Sequence, residues 1–232
     1  METKTKKFKR DILNWYNNNK RDYSWRETND PWKILLLETI SQQTQLDRAN
    51  TYFKLFIEEF PSPATMASSS LKKVLILWSG LGYNNRARRL YESSKILSEK
   101  GFDELYPNFE VLPGVGPYTN NAILSFAYGE KVITRDVNVD RVFSRYFGLN
   151  NVENFVHNNK QPLLNRVSSR DLNQAIMDFG SMVCKSKNPL CSTCVLEKNC
   201  EKNIVKIKKS KETFSGSNRE LRGALLKLLL NE

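Results

Sequence analysis

The chain has 232 residues, 40% of them hydrophobic, enough for one large domain or two small ones around an apolar core. Against 25 Asp and Glu stand 36 Lys and Arg, a formal net charge of +11, and such an excess suits a polyanion, either nucleic acid or an acidic membrane face. No long uncharged apolar run could span a bilayer, and the basic start M-E-T-K-T-K-K-F-K-R lacks the apolar stretch of a secretory signal, so an intracellular partner of nucleic acid is expected.

In chain order, Phe8, Ile12, Trp15 and Tyr16 give residues 1–24 the pattern of an amphipathic helix. Asp30 followed by Pro31 is a helix start, a cap and then a proline in the first turn. The helix after it carries Trp32, Ile34, Leu35, Leu36, Leu37 and Ile40, apolar on nearly every face, which predicts burial. Glu38 lies within it. A carboxylate among apolar neighbours tends to keep its proton, as a general acid must, although pairing with an arginine would serve the fold alone. The polar run Ser41-Gln42-Gln43-Thr44-Gln45 suits hydrogen bonds to bases and sugars, or else a solvated helix end.

Residues 46–60 read as a further amphipathic helix stopped by Pro61 and Pro63, with a short helix or turn over 66–70 and a helix over 71–78. The turn Gly80-Leu81-Gly82-Tyr83 precedes Arg86, Arg88 and Arg89 on the next helix. It could hold a phosphate and present an aromatic wedge, or be an ordinary charged surface. Then Leu112-Pro113-Gly114-Val115-Gly116 forms a turn before a helix that holds Ala122, Ile123 and Phe126 and closes at Gly129. Gly114 and Gly116 let a backbone approach a ligand closely, and a helix N-terminus there would favour a DNA phosphate; a purely structural turn has the same pattern. Asp136 follows the apolar pair Val132-Ile133 and stands where a helix N-cap stands. Beyond it the pattern stays helical to Val183, and no β-hairpin pattern occurs.

The four cysteines fall in one short stretch, Cys184-x6-Cys191-x2-Cys194-x5-Cys200. An intracellular chain does not spend them on disulfides. Four thiolates in one loop fit structural zinc or an iron–sulfur cluster, and the single C-x2-C with unequal flanks favours the cluster.

Together these residues resemble the helix-hairpin-helix DNA glycosylases related to endonuclease III, from about Tyr23 to Cys200. The cysteine spacing and L-P-G-V-G with its downstream Asp136 carry the superfamily likeness. W-R-x-T-x-D-P-W, L-x-E-x-x-x-Q-Q-T-Q, G-L-G-Y-x-x-R-A-R-x-L, G-V-G-P-Y-T and D-x-N-V-x-R-V are similar to MutY-type adenine glycosylases, which act on A·G and A·8-oxoguanine mispairs.

The resemblance implies an all-α, two-lobed fold with a DNA cleft. One lobe is a six-helix barrel with the helix-hairpin-helix, about 28–136. The other joins 1–27 to 137–212 and carries the iron–sulfur loop, and 213–232 is a short helical tail. It assigns Cys184, Cys191, Cys194 and Cys200 to a [4Fe–4S] cluster that is mainly structural. Glu38 is then the acid that protonates adenine and assists water, and Asp136 the carboxylate that stabilises the oxocarbenium-like sugar. Asn138 helps to hold that carboxylate and the sugar. Arg26 and Asp178 contact the extruded base, Gln43 and Tyr83 enter the duplex, and Gly114 and Gly116 form the phosphate grip. Tyr118 stands where strand-cleaving relatives carry a lysine, and a phenol forms no Schiff base, so a monofunctional enzyme is implied.

The expected partner is double-stranded DNA containing a mispair, bound by a monomer in the cytoplasm or nucleoid. MutY enzymes usually add a C-terminal domain that reads 8-oxoguanine, whereas this chain ends at Glu232. Short relatives that excise thymine or uracil opposite guanine also carry tyrosine at the position of Tyr118, but Gln42-Gln43-Thr44-Gln45 resembles the MutY-type enzymes and not those relatives. A non-catalytic iron–sulfur DNA-binding protein is the third reading, and the presence of both Glu38 and Asp136 argues against it.

Overall fold

A computed structural model describes residues 3–202 and the single positions 221, 224 and 228. The tail expected over 213–232 falls almost wholly outside the described residues. Every regular element among them is helical: α1 (Lys4–Asn19), α2 (Pro31–Ser41), α3 (Leu46–Glu59), α4 (Pro63–Ala67), α5 (Leu71–Leu77), α6 (Asn85–Leu105), α7 (Pro117–Phe126), α8 (Val137–Phe147), α9 (Val152–Leu164) and α10 (Ser169–Met182). None is long and apolar enough to cross a membrane.

The chain divides into two compact units, residues 27–123 and, among the described residues, 3–26 with 124–202. The resemblance implied lobes meeting at residue 136. The boundary between the two compact units falls inside α7, between Ile123 and Leu124.

In the unit of 27–123, Asp30 caps α2 by accepting from the Trp32 and Lys33 amides, and Pro31 follows at the first helical position. Trp32, Ile34, Leu35, Leu36, Leu37 and Ile40 are all buried. Trp32 donates its indole N–H to the Phe60 carbonyl at 2.9 Å, and Phe56 meets Trp78 edge-on at 5.6 Å, joining α2, α3 and the end of α5. Pro63 does not merely stop α3. It occupies the first turn of α4, where Ser62 and Thr65 form a reciprocal capping box. Helix α6 changes direction at Gly101, whose φ of 76° breaks the helical run.

In the other unit, α1, α8 and α10 share one core. Phe8 lies 5.5 Å from the Phe143 ring and 5.0 Å from that of Tyr146, and Trp15 meets Phe179 edge-on at 5.0 Å. The buried Asn173 of α10 ties down the approach to α8, accepting from the Thr134 amide at 3.0 Å and donating to the Val132 carbonyl at 2.9 Å.

Candidate active site

Asp136 arrives on that tethered segment and becomes the N-cap of α8. Its Oδ1 accepts from the Asn138 and Val139 amides at 2.9 and 2.7 Å, and its Oδ2 accepts from Asn138 Nδ2 at 2.7 Å. A carboxylate here also meets the positive end of the helix dipole. Asn138 is fixed in turn, because its Oδ1 accepts from Arg141 at 2.7 Å. Arg141 is buried and also donates to the Gly180 and Cys184 carbonyls at 2.6 and 2.7 Å. A Cβ on Gly180 would come within 2.7 Å of Asn138 Cβ, so α10 needs glycine at that position. One chain of hydrogen bonds therefore runs from the first cysteine of the loop to the half-buried Asp136. Burial lowers the Arg141 pKa, and the neighbouring Cys184 and Asp136 act against that shift.

Arg26 and Asp178 meet in a buried ion pair of 2.8 Å, 8% and 1% exposed. Arg21 donates to the same carboxylate oxygen through Nε at 3.0 Å. Arg26 also donates to the Tyr16 hydroxyl at 2.9 Å, and that hydroxyl donates to Gln174 Oε1 at 2.7 Å. Burial is the main cause of a raised Tyr16 pKa. Two atoms of the pair, Asp178 Oδ2 and Arg26 Nε, are buried without a protein partner.

Glu38, Gln43, Tyr83 and the hairpin all lie in the unit of 27–123. Glu38 is half-buried in the last turns of α2. Gln43 and Tyr83 are exposed, and both have left-handed backbones, φ 56° and 49°. The Leu112–Val115 turn closes with the Val115 amide donating to the Leu112 carbonyl at 3.1 Å, with proline second and Gly114, at φ 86°, third. A Cβ at Gly114 would lie 3.2 Å from the Arg89 side chain, whereas one at Gly116 would meet nothing within 4 Å. Of the two glycines, Gly116 alone leaves open space, and Gly114 serves the turn. Asn120 of α7 accepts from the Phe109 amide at 2.8 Å and fastens the hairpin, and Tyr118 is half-buried in the first turn of α7.

The four cysteines line one cavity of about 300 Å³ with Arg145, Leu190 and Lys202. Among the described residues no three His, Cys, Asp or Glu side chains converge on one metal ion. Burial pushes the Cys194 thiol up to about 11 and raises Cys200 as well. Arg145 reaches over the loop, donating to the Lys185 carbonyl at 2.7 Å and to Cys184 Sγ at 3.4 Å.

The family model described as HhH-GPD superfamily base excision DNA repair protein matches residues 37–161. The chain belongs to the HhH-GPD superfamily. It is 35% identical to the adenine DNA glycosylase of Buchnera aphidicola subsp. Baizongia pistaciae, over 84% of this chain and 58% of that one. To the adenine DNA glycosylase of Mycobacterium tuberculosis it is 32% identical, over 94% and 77%. Among solved structures it is similar to a thermostable thymine-DNA glycosylase, with a TM-score of 0.77 and 29% identity over 85% of this chain and 95% of that chain. The all-helical HhH-GPD fold read from the sequence is the fold observed. The chain spans about three fifths of the length of the Buchnera relatives it matches.

For this HhH-GPD member the sequence reading held Arg141 only as a motif residue without a role, and it missed Arg21, Gln174 and the hydroxyl of Tyr16. Only Tyr16 gave a local sign, a polar tip on an otherwise apolar helical face.

Proposed function

We propose that this chain is a monofunctional DNA glycosylase that hydrolyses the N-glycosidic bond of adenine mispaired with guanine or 8-oxoguanine. The observation that carries the proposal is the Asp136 cap, a carboxylate held by three donors at a helix start within a chain of this family. A carboxylate so held keeps its place while positive charge develops on the sugar.

The base must leave the duplex before it can be attacked. Glu38 donates its proton to a ring nitrogen of adenine, which makes the base a leaving group. The bond from C1′ to N9 breaks, and Asp136 stabilises the resulting oxocarbenium-like sugar. Water adds to C1′ and returns its proton to Glu38. The products are free adenine and an abasic site. Asn138 fixes the orientation of Asp136 through its amide. Arg26 and Asp178 read the extruded base, and their unmatched donor and acceptor atoms support that role. Gln43 and Tyr83 fill the space left in the duplex, and the hairpin with Gly116 grips a phosphate. Tyr118 cannot form the Schiff base that a lysine would, so strand cleavage does not accompany base release.

Cys184, Cys191, Cys194 and Cys200 would hold a [4Fe–4S] cluster. The four thiols line one cavity of about 300 Å³, and their spacing, with a single C-x2-C and unequal flanks, supports a polynuclear centre over a single zinc. When bound, the cluster supplies the positive centre that binds the thiolates and fixes the loop.

A thymine or uracil glycosylase acting opposite guanine is the second reading, favoured by the likeness to the thermostable thymine-DNA glycosylase. The purified chain is incubated with duplexes carrying A·G, A·8-oxoguanine, T·G or U·G and then treated with alkali. Cleavage at adenine is expected. Product only at T·G or U·G overturns the adenine assignment, and no product from any duplex overturns the enzyme.

A further inference from the structure

One buried guanidinium in the unit of 27–123 forms no ion pair among the described residues and donates mainly to backbone carbonyls. Arg86, 9% exposed, donates through one terminal nitrogen to the carbonyls of Thr39, at 3.1 Å, Ile40, at 2.9 Å, and Gln42. Through the other it donates to the carbonyls of Leu81, at 3.2 Å, and Gly82, at 3.0 Å. The first set closes the C-terminal end of α2, whose last carbonyls have no partner within the helix. The second set holds the turn that starts α6.

The residue that follows each anchored carbonyl run is exposed and has a left-handed backbone: Gln43 after Gln42, and Tyr83 after Gly82. Residues with side chains adopt that conformation only when their surroundings impose it. The Arg86 guanidinium carbon also lies 5.7 Å from the Tyr83 ring and 4.9 Å from that of Trp78, whose indole donates to the Gly82 carbonyl at 3.0 Å. Burial brings Arg86 down to about 10, which leaves it charged near neutral pH.

We propose that Arg86 is a positioning residue that fixes Gln43 and Tyr83 in one rigid frame, so that the two side chains enter the duplex together. The proposal rests on the reading of those two residues as duplex-filling groups. Five carbonyls converge on one planar cation, those of the α2 end on one terminal nitrogen and those of the 81–82 turn on the other, so each segment is held to the same rigid group and shifts only by losing its own bonds to it. Lysine cannot reproduce this, because its ammonium lacks the planar fork of donors.

The test uses the full chain, as wild type and as Arg86→Lys, with a duplex carrying 2-aminopurine opposite guanine. Its fluorescence rises when the base leaves the stack. Arg86→Lys is expected to unstack the base about tenfold more slowly. Its affinity for unmodified duplex stays within about twofold, since phosphate contacts dominate that binding. In a Gln43→Ala, Tyr83→Ala background the same substitution costs less than about twofold, because its effect runs through those residues. Equal unstacking rates for wild type and Arg86→Lys overturn the proposal, and so does an undiminished effect in the double-alanine background. If Arg86→Lys does not fold, Arg86→Gln takes its place; if neither folds, the guanidinium serves the fold alone and the proposal fails. Wild type that unstacks the 2-aminopurine but releases no adenine from a duplex with A·G at the same position sinks the adenine reading while leaving the comparison at Arg86 intact. Wild type that leaves the duplex stacked overturns both.

Discussion

Asp136 has two tasks that a pair of substitutions can separate. As an N-cap it needs an acceptor oxygen, and as an electrostatic stabiliser it needs a charge. Asp136→Asn keeps the first, because an amide oxygen can still accept from the Asn138 and Val139 amides, now at 2.9 and 2.7 Å. Its new NH2 must then face Asn138 Nδ2, which now donates to Oδ2 at 2.7 Å. Asn138 cannot relieve the conflict by reversing its amide, since its Oδ1 is held by Arg141 at 2.7 Å. One charge-assisted bond is lost, about 2 kcal/mol. Asp136→Ala loses the cap as well, a further 1 kcal/mol or about that. At about 2–4 °C per kcal/mol for a chain of this length, both losses are measurable by thermal unfolding. Base release in single turnover should behave differently. Removing the charge costs about 10²–10³ in rate, and Asn and Ala should lose nearly the same amount despite their unequal stabilities. If Asp136→Asn releases base within about threefold of wild type, Asp136 is only a cap and the mechanism proposed for it is wrong.

Asp178→Asn removes the counter-charge of the buried Arg26 and of Arg21; a stability loss of about 3–5 kcal/mol in denaturant unfolding is expected, and a loss below about 1 kcal/mol would show that the pair does not hold this core. Cys194→Ser should abolish the visible absorbance of the purified chain and reduce its iron content, with a lower unfolding temperature; unchanged iron would remove Cys194 from the ligand set. Tyr118→Lys should yield a covalent complex with abasic-site DNA that borohydride traps, whereas wild type yields none; trapping by wild type would refute the monofunctional assignment.

Much of the fold was legible because its signals are local. Asp30-Pro31 and the Asp136 cap each act within three residues of their own position, so the sequence displays both partners. The Pro113-Gly114 turn is readable for the same reason, the one residue supplying a fixed φ and the other a positive one. Pro63 was misread where the local evidence is ambiguous. A proline after a helix can end it or open the next one, and the Ser62–Thr65 capping box decides for the second. The unit boundary was hidden because it falls within α7, a continuous helix with neither a linker nor a change of composition to mark it.

Arg86 and Arg141 stand in the motifs that carry the resemblance, but the roles the structure gives them were illegible for a different reason, and it bears on how such sites are assembled. Each looks like an ordinary cation on a charged helix, yet each is buried with its guanidinium bonded largely to backbone carbonyls. A carbonyl has no residue type, so no pattern announces it as a partner. The partners of Arg86 in α2 lie more than 40 residues away along the chain, and Cys184, which Arg141 reaches, is 43 residues from it. Burying a charge this way is costly: desolvation brings the Arg86 pKa down to about 10, a shift against the charged form. For cohesion alone, an apolar side chain of similar volume would serve as well or better. What the guanidinium adds is geometry, since several fixed donors on one plane bind carbonyls of separate segments. The exposed groups proposed to meet DNA were visible in the sequence because recognition needs particular side chains. The buried groups that aim them were not, because aiming needs only a donor fork in the right place.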